Sequence, residues 1–329
     1  MSSKSIKIAI VSGASKNDDA VRGIGVHTSQ LFEQLRQLSI NNYQFSITKS
    51  TSQADIVHFT VFRPFFISLP FFKSKNQKLV LTIHDLIPLI YPNHYPAGIR
   101  GKIKFLINKF LVWKNIDQII TISETSKKDI CRFLQVDPKI VNVIYLAPKE
   151  IYKKSKVINN YKLPNKFVLY TGDINYNKNI PNLIKACEIA KIPLVIAGKH
   201  AKEIQNMDLK HAELKHLNNI DWSGVIRVGF VPDEILVDLY NLATVYVQPS
   251  LYEGFGLPVL DAVACGTPIV VTKTQALVEI LGTNLNYVDP NDPKDMARGI
   301  LNPNKNIKLP REYSWQKTAE ETLEVYVKA

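Results

Sequence analysis

Val245–Thr272 reads VYVQPSLYEGFGLPVLDAVACGTPIVVT, and this stretch decides the fold. Val245–Gln248 is a short apolar run of strand length, Leu257–Cys265 has helix length and composition, and Ile269–Thr272 is a second strand-like run. A strand, a helix and a strand in such quick succession form the repeating unit of a parallel sheet. The loop between the first strand and the helix carries the chemistry. Gly254 and Gly256 let backbone amides approach a ligand, and the helix N-terminus favours an anion such as a diphosphate. Glu253 places a carboxylate on that loop, and Asp261 follows about two helical turns on. Two acceptors so placed suit the hydroxyls of a sugar and of a ribose. The same residues also fit a tight loop before a helix, with Glu253 as a capping acid.

The pattern continues in both directions. Upstream, Phe167–Thr171, Leu194–Ala197 and Ile226–Phe230 read as strands, with helices over Asn179–Ala190 and Asp233–Leu242. Tyr145–Lys166 is polar and rich in Lys and Asn, as a linker is. Before it a second series runs through strands at Lys7–Val11, Ile56–Thr60, Leu79–Ile83, Gln118–Ile122 and Val141–Tyr145. Helices are expected over Val26–Gln37, Ile99–Trp113 and Glu124–Leu134, the last with Ser123 as its N-cap. Near-continuous apolar strands separated by helices mean parallel sheets covered on both faces. The fold class is therefore α/β, with two Rossmann-like doubly wound domains, one over residues 1–160 and the other over 161–311. In such sheets ligands bind at the carboxyl ends of the strands. Gly23 and Gly25, His58, His84 with Asp85, Gly172–Lys178, Gly198 and Glu253–Gly256 all fall there.

The totals fit this reading. A chain of 329 residues is longer than one core usually holds, and 46% apolar with 21% charged residues is ordinary for a soluble globular protein. Cys131, Cys187 and Cys265 are scattered and in no metal-ligand spacing, so no disulfides and a cytoplasmic location are expected. Met1–Ser5 leads straight into a strand, unlike a signal peptide, and Ile56–Phe72 is broken by Arg63, Pro64 and Pro70, so no transmembrane helix is expected. The net charge of +12 is uneven. Residues 1–164 hold 24 Lys and Arg against 10 Asp and Glu, a balance of +14, and residues 165–329 hold 17 against 19, a balance of −2. A basic half attracts an anionic membrane, a lipid-phosphate acceptor or nucleic acid, and it equally makes a solubilising surface.

Pro249–Pro268 resembles the nucleotide-sugar signature P-S-x-x-E-G-F-G-L-P-x-x-E-A-x-A-x-G-x-P of the retaining GT-B glycosyltransferases of the family 4 type, also called glycosyl transferases group 1. The resemblance implies that Glu253 holds the donor sugar, helped by amides around Gly254, Phe255, Gly256 and Leu257. Asp261, where the family has Glu, would bind the ribose. Tyr170–Asn179 resembles the family's phosphate loop, with Lys178 as its lysine, Asp173 where Arg is frequent, and Gly172 and Asn177 beside them. Gly198 ends the next strand on the donor side. Arg22-Gly-Ile-Gly-Val-His27 resembles the N-terminal glycine loop, with Gly23 and Gly25 toward the donor phosphate and His27 toward the acceptor. Thr82–Leu86 resembles the strand-end segment whose histidine, here His84, lies at the reaction centre. Asp85 and, without a motif, His58 are candidate acceptor contacts. Pro232-Asp233, Asp289-Pro290 and Tyr313–Ala319 look like family positions of structural role. The last begins a C-terminal helix, 312–329, expected to pack back on the N-terminal domain, with the active site in a cleft between the domains.

The resemblance implies transfer of a sugar from a nucleotide diphosphate sugar with retention of configuration. It further implies no metal and no other cofactor, and no D-x-D follows any strand. His84, Glu253 and Lys178 are the catalytic candidates. The expected acceptor is a glycan or a lipid-linked sugar of envelope polysaccharide, and a basic amphipathic Ile99–Trp113 points to a peripheral place on an anionic membrane. A sugar-nucleotide epimerase or another GT-B enzyme, and a basic nucleic-acid-binding protein, are the competing readings. No helix-turn-helix, zinc spacing or RNA-binding aromatic motif supports the last.

Overall fold

Every strand runs parallel to its neighbours and carries mostly Val, Ile, Leu and Thr, because both faces of each sheet are covered by helices. The structure, a computed structural model, describes residues 6–12, 23–38, 45–48 and 50–329, which divide into two units.

The first unit comprises the described residues up to Pro92, with Pro96–Ala147 and Tyr313–Ala329. Its strands are β1 (Ile6–Val11), β2 (Phe45–Thr48), β3 (Ile56–Phe59), β4 (Lys78–Thr82), β5 (Gln118–Thr121) and β6 (Val141–Val143), in the sheet order β2-β1-β3-β4-β5-β6. Helices α1 (Gly23–Gln37), α2 (Ile87–Ile90), α3 (Gly98–Asn115) and α4 (Glu124–Leu134) connect them. Helix α4 starts as its sequence requires: the Ser123 hydroxyl accepts the Ser126 amide at 2.9 Å. Helix α1 begins at Gly23, so Gly23 and Gly25 lie in its first turn rather than in a loop before it. Arg22 lies outside the described residues.

The second unit comprises Asn93–Tyr95 and Pro148–Glu312. It holds β7 (Val168–Thr171), α5 (Ile180–Ala190), β8 (Leu194–Ala197), α6 (Lys199–Glu203), β9 (Val225–Arg227), α7 (Asp233–Leu242), β10 (Val245–Gln248), α8 (Leu257–Ala264), β11 (Ile269–Val271), α9 (Gln275–Leu281) and α10 (Pro293–Leu301). The sheet order is β11-β10-β7-β8-β9. The chain therefore winds outward from β7 through β8 and β9, then returns to β10 on the other side. The carboxyl ends of β7 and β10 flank the switch point of this sheet, where such folds bind ligands.

The boundary between the units falls at Ala147/Pro148, against 160/161 in the sequence reading, and the reason is local. The polar segment after Ala147 packs on the second unit: Lys149 Nζ lies 2.6 Å from Asp233, the Tyr152 hydroxyl donates to Asp233 at 2.9 Å, and the Ser155 amide donates to Asn241 at 2.7 Å. The C-terminal helix α11 (Trp315–Lys328) belongs to the first unit. Ser314 caps it, Thr318 donates to the Tyr145 carbonyl at 2.7 Å, and Ala319, Leu323 and Tyr326 join a core with Ile8, Leu31, Leu35 and Val80. Among the described residues no helix is long and apolar enough to cross a membrane.

Candidate functional site

Two loops meet at the switch point of the second unit. One follows β7 and runs from Gly172 to Asn179; the other follows β10 and runs from Pro249 to Gly256. They are stitched together by backbone and amide contacts. The Leu251 amide donates to the Asn177 carbonyl at 2.8 Å, and Asn177 Nδ2 donates to the Tyr252 carbonyl at 3.1 Å. Asn177 Oδ1 accepts the Tyr95 hydroxyl at 2.8 Å. Both ends of the Asn177 amide are thus engaged within the protein, so this residue braces the loops instead of presenting its amide to a donor. Asn179, absent from the sequence reading as a site residue, ties the same corner. Its Nδ2 donates to the carbonyls of Pro249 at 2.9 Å and Pro290 at 2.7 Å. The spacing of Asn179 one residue after Lys178 was its only signal.

This brace presents a charged pair. Lys178 Nζ lies 2.7 Å from Glu253 Oε1 and 3.0 Å from Oε2. Gln248 Nε2 and Ser250 Oγ each donate to the same Oε1 at 2.6 Å, and Gln248 is held in turn by the Tyr246 hydroxyl. The Glu253 side chain is 7% exposed and that of Lys178 23%. The carboxylate is therefore held by three side chains, while the Lys178 side chain stays partly exposed. The role of Gln248 and Ser250 was not read from the sequence, although both stand in the quoted stretch. Hydrogen bonds two to five residues apart along a strand end leave no periodic signal.

Close approach explains two of the glycines. A Cβ on Gly198 would lie 2.2 Å from the Gly172 carbonyl oxygen, so the ends of β7 and β8 come together only without a side chain there. Gly256 caps α8 at φ +110, a left-handed conformation that favours glycine, and a Cβ there would meet Leu277 at 2.6 Å. Gly254 and Phe255 are buried beside it and Leu257 is half-buried. Asp173 sits at the mouth of the first loop, where its carboxylate is 3.2 Å from His200 Nδ1 and its carbonyl accepts the Tyr170 hydroxyl at 2.5 Å.

Asp261 differs from the other polar residues. It is buried on α8, and its Oδ1 has no hydrogen-bond partner. Burial, reinforced by the nearby Asp233 carboxylate, pushes its carboxyl well above the usual range, and Lys149 opposes the shift. The same burial and acidic neighbours, Asp261 before Asp233, raise the Tyr152 phenol. A buried polar atom without a partner costs about 1–3 kcal/mol and calls for a specific explanation.

In the first unit two histidines meet, His27 on α1 and His84 just after β4. His27 Nδ1 and His84 Nε2 are 2.9 Å apart, one ring donating and the other accepting, and His27 stacks on Trp315 with centroids 6.1 Å apart. His27 is fully buried behind His84, so its contact is with that histidine and not with an acceptor. His58 is also fully buried, with Nδ1 2.7 Å from the Tyr326 hydroxyl and Nε2 2.7 Å from Thr82 Oγ1. With both ring nitrogens engaged it cannot bind an acceptor; it ties β3 to α11. Burial lowers His84 to about 4 and His58 to about 3, with His84 adding to the latter, and lowers His27 well below its usual value. Asp85 is half-buried, and its carboxylate accepts the Ile87 amide at 3.1 Å, opening α2. Among the described residues no three His, Cys, Asp or Glu side chains converge to hold a metal ion.

Comparison with known proteins agrees with this arrangement. Residues 11–147 match the family described as Glycosyltransferase Family 4, and residues 148–318 match the one described as Glycosyl transferases group 1. The serotype-specific mannosyltransferase WbdA of Escherichia coli is 31% identical over 235 residues, which are 67% of this chain but 28% of WbdA. This chain therefore spans under a third of that relative's length. The O-antigen chain mannosyltransferase B of Escherichia coli is 26% identical over 277 residues, 76% of this chain and 70% of that protein. Among solved structures, Anabaena HepE in complex with UDP and glucose superposes with a TM-score of 0.64 over 98% of this chain and 95% of that one, at 13% identity, a likeness of fold alone. The two doubly wound units are those of a GT-B protein, and the chain belongs to the glycosyl transferases group 1 family.

Proposed function

We propose that this protein transfers a sugar from a nucleoside diphosphate sugar to a glycan or lipid-linked acceptor, with retention of configuration and without a metal or other cofactor. The observation that carries the reading is the Lys178–Glu253 pair at the switch point of the second sheet. A fixed carboxylate suits the hydroxyls of the donor sugar, and a partly exposed ammonium beside it suits the diphosphate. Lys178 stabilises the charge that develops on the leaving phosphate. Asp261, with its unpartnered oxygen, takes the ribose hydroxyls. Glu253 Oε1 already accepts three donors, which makes it a poor nucleophile for a covalent intermediate. Same-face attack assisted by the departing phosphate follows, with His84 at the reaction centre. The mannosyltransferases among the relatives make mannose the first sugar to test and envelope polysaccharide the first acceptor class. The three scattered thiols and the basic first half support a cytoplasmic reaction beside a membrane.

Thermal unfolding with a panel of UDP-, GDP- and ADP-sugars and the free nucleotides, with and without magnesium, tests the reading, because a ligand of the native state raises apparent stability. A metal-independent shift selective for one nucleotide, lost in Lys178→Ala, is expected. A folded protein unmoved by the whole panel, or a shift that requires magnesium, overturns it.

A further inference from the structure

Helix α3 is apolar on two opposite sides. Its inner side, with Leu111 and Val112, is buried in the core of the first unit. On the other side Ile99, Ile103, Leu106, Phe110 and Trp113 follow one another at steps of four and three residues, which places them in one stripe. All five are exposed, Ile99 at 81% and Leu106 at 64%. A helix buried on one face ordinarily carries polar residues on the other, so a continuous second stripe demands an occupant.

The preceding loop widens the stripe into a surface. Asn108 Nδ2 holds the carbonyls of Pro64 at 3.0 Å and Phe66 at 2.8 Å, and Asn115 Nδ2 holds that of Pro70 at 2.6 Å, which lays the loop along the helix. Phe66, Phe71 and Phe72 project from it, Phe72 with 85% exposure. Ammonium groups border the aromatic rings. Lys104 lies 5.5 Å from the Phe66 ring, Lys109 5.1 Å from Trp113, and Lys114 5.3 Å from Phe72 and 5.9 Å from Phe110. Arg100 and Lys102 are exposed on the two flanks of the stripe, and Gly98–Asn115 contains no acidic residue.

We propose that α3 and the loop from Arg63 to Phe72 form a docking surface for an anionic lipid membrane, with the helix lying in the plane of the interface. The proposal deepens the function given above and rests on it in one respect, that the acceptor is lipid-linked. The aliphatic and aromatic side chains enter the acyl boundary while the lysines extend their stems over the rings toward the headgroups. Each Lys or Arg so placed contributes attraction to an anionic leaflet, and this charge selects the occupant. A second copy of the chain would set the same cations against themselves across a two-fold axis.

Co-sedimentation with vesicles of phosphatidylcholine, and of phosphatidylcholine with phosphatidylglycerol at about three to one, tests the surface. The protein is expected to bind the anionic vesicles, to release with added salt, and to leave pure phosphatidylcholine in solution. Ile99→Ser with Leu106→Gln, and separately Arg100→Glu with Lys102→Glu, should each weaken binding at least about tenfold without lowering the melting temperature, since all four side chains are exposed. Absence of vesicle binding, binding unchanged in both variants, or a dimer in sedimentation velocity that the apolar variant dissociates would overturn the proposal. The nucleotide-sugar shift measured on the same variants separates the two readings. A retained shift without vesicle binding removes the docking surface alone, and vesicle binding without any nucleotide shift removes the transferase alone.

Discussion

Replacing Glu253 by Gln should separate sugar recognition from diphosphate recognition. The wild-type carboxylate accepts Lys178, Gln248 and Ser250 on Oε1 and Lys178 again on Oε2. In Glu253→Gln one oxygen remains an acceptor, but an amide nitrogen replaces the other and turns its N–H groups toward an ammonium. Breaking a fully buried ion pair by removing one partner costs about 3–5 kcal/mol. Lys178 retains 23% of its side-chain exposure, so water offsets part of the loss, and we expect about 1–3 kcal/mol. The melting temperature should fall by about 2–4 °C for each of these kcal/mol. Binding should change in a ligand-dependent way. A hydroxyl bound to a carboxylate contributes about 1–2 kcal/mol more than one bound to a neutral amide, so a diphosphate sugar should lose about five- to thirtyfold in affinity. The free nucleoside diphosphate should lose nothing and can gain, since Lys178 no longer shares its charge with a carboxylate. Isothermal titration of both ligands against both proteins reads the contrast. Equal weakening of the two, or an unchanged preference for the sugar, would refute the assignment of Glu253 to the sugar and Lys178 to the phosphate.

Three further outcomes follow from the geometry. Asp261→Leu removes a buried oxygen that has no partner and a carboxyl beside Asp233, so the free protein should keep or gain about 1–3 kcal/mol while nucleotide affinity falls; a loss of stability in urea unfolding would assign Asp261 to structure. Gly198→Ala sets a Cβ 2.2 Å from a backbone oxygen and should cost about 1–3 kcal/mol, whereas Gly224→Ala, with open space around it, should be near neutral; similar urea midpoints for the two would contradict the close approach of β7 and β8. Burial holds His84 at about 4 and His58 at about 3, below their unfolded value of about 6.5, so the neutral rings contribute stability that is complete above that pH and declines as the pH falls toward 4. The slope should approach 1.4 kcal/mol per pH unit for each histidine, and a urea midpoint that is flat between pH 6.5 and 5 would refute it.

The sequence determined the parallel sheets, because apolar runs of strand length separated by helical segments can bury both faces in only one kind of architecture. Asp233–Leu242 and Val245–Gln248 have the bounds the residues predict, and Glu253 and Lys178 follow strands as expected. It also determined the exposed chemistry of α3, whose lysines alternate with large apolar residues along the chain. Which of those apolar residues face the core was decided only by the tertiary structure, since two stripes on one helix look alike until a sheet covers one of them. The same holds for the histidines. His27, His58 and His84 stand at three separate strand ends or helix starts in the sequence, equal candidates by position. Folding places His27 behind His84 and closes both nitrogens of His58 with Thr82 and Tyr326, the second 268 residues away along the chain. Local patterning fixes where a residue stands on its own element, and a period of two or of 3.6 residues carries that information. Whether a polar atom finds a partner depends on elements that arrive from far along the chain, which is why Asn177 became a brace and Asp261 Oδ1 was left without a partner.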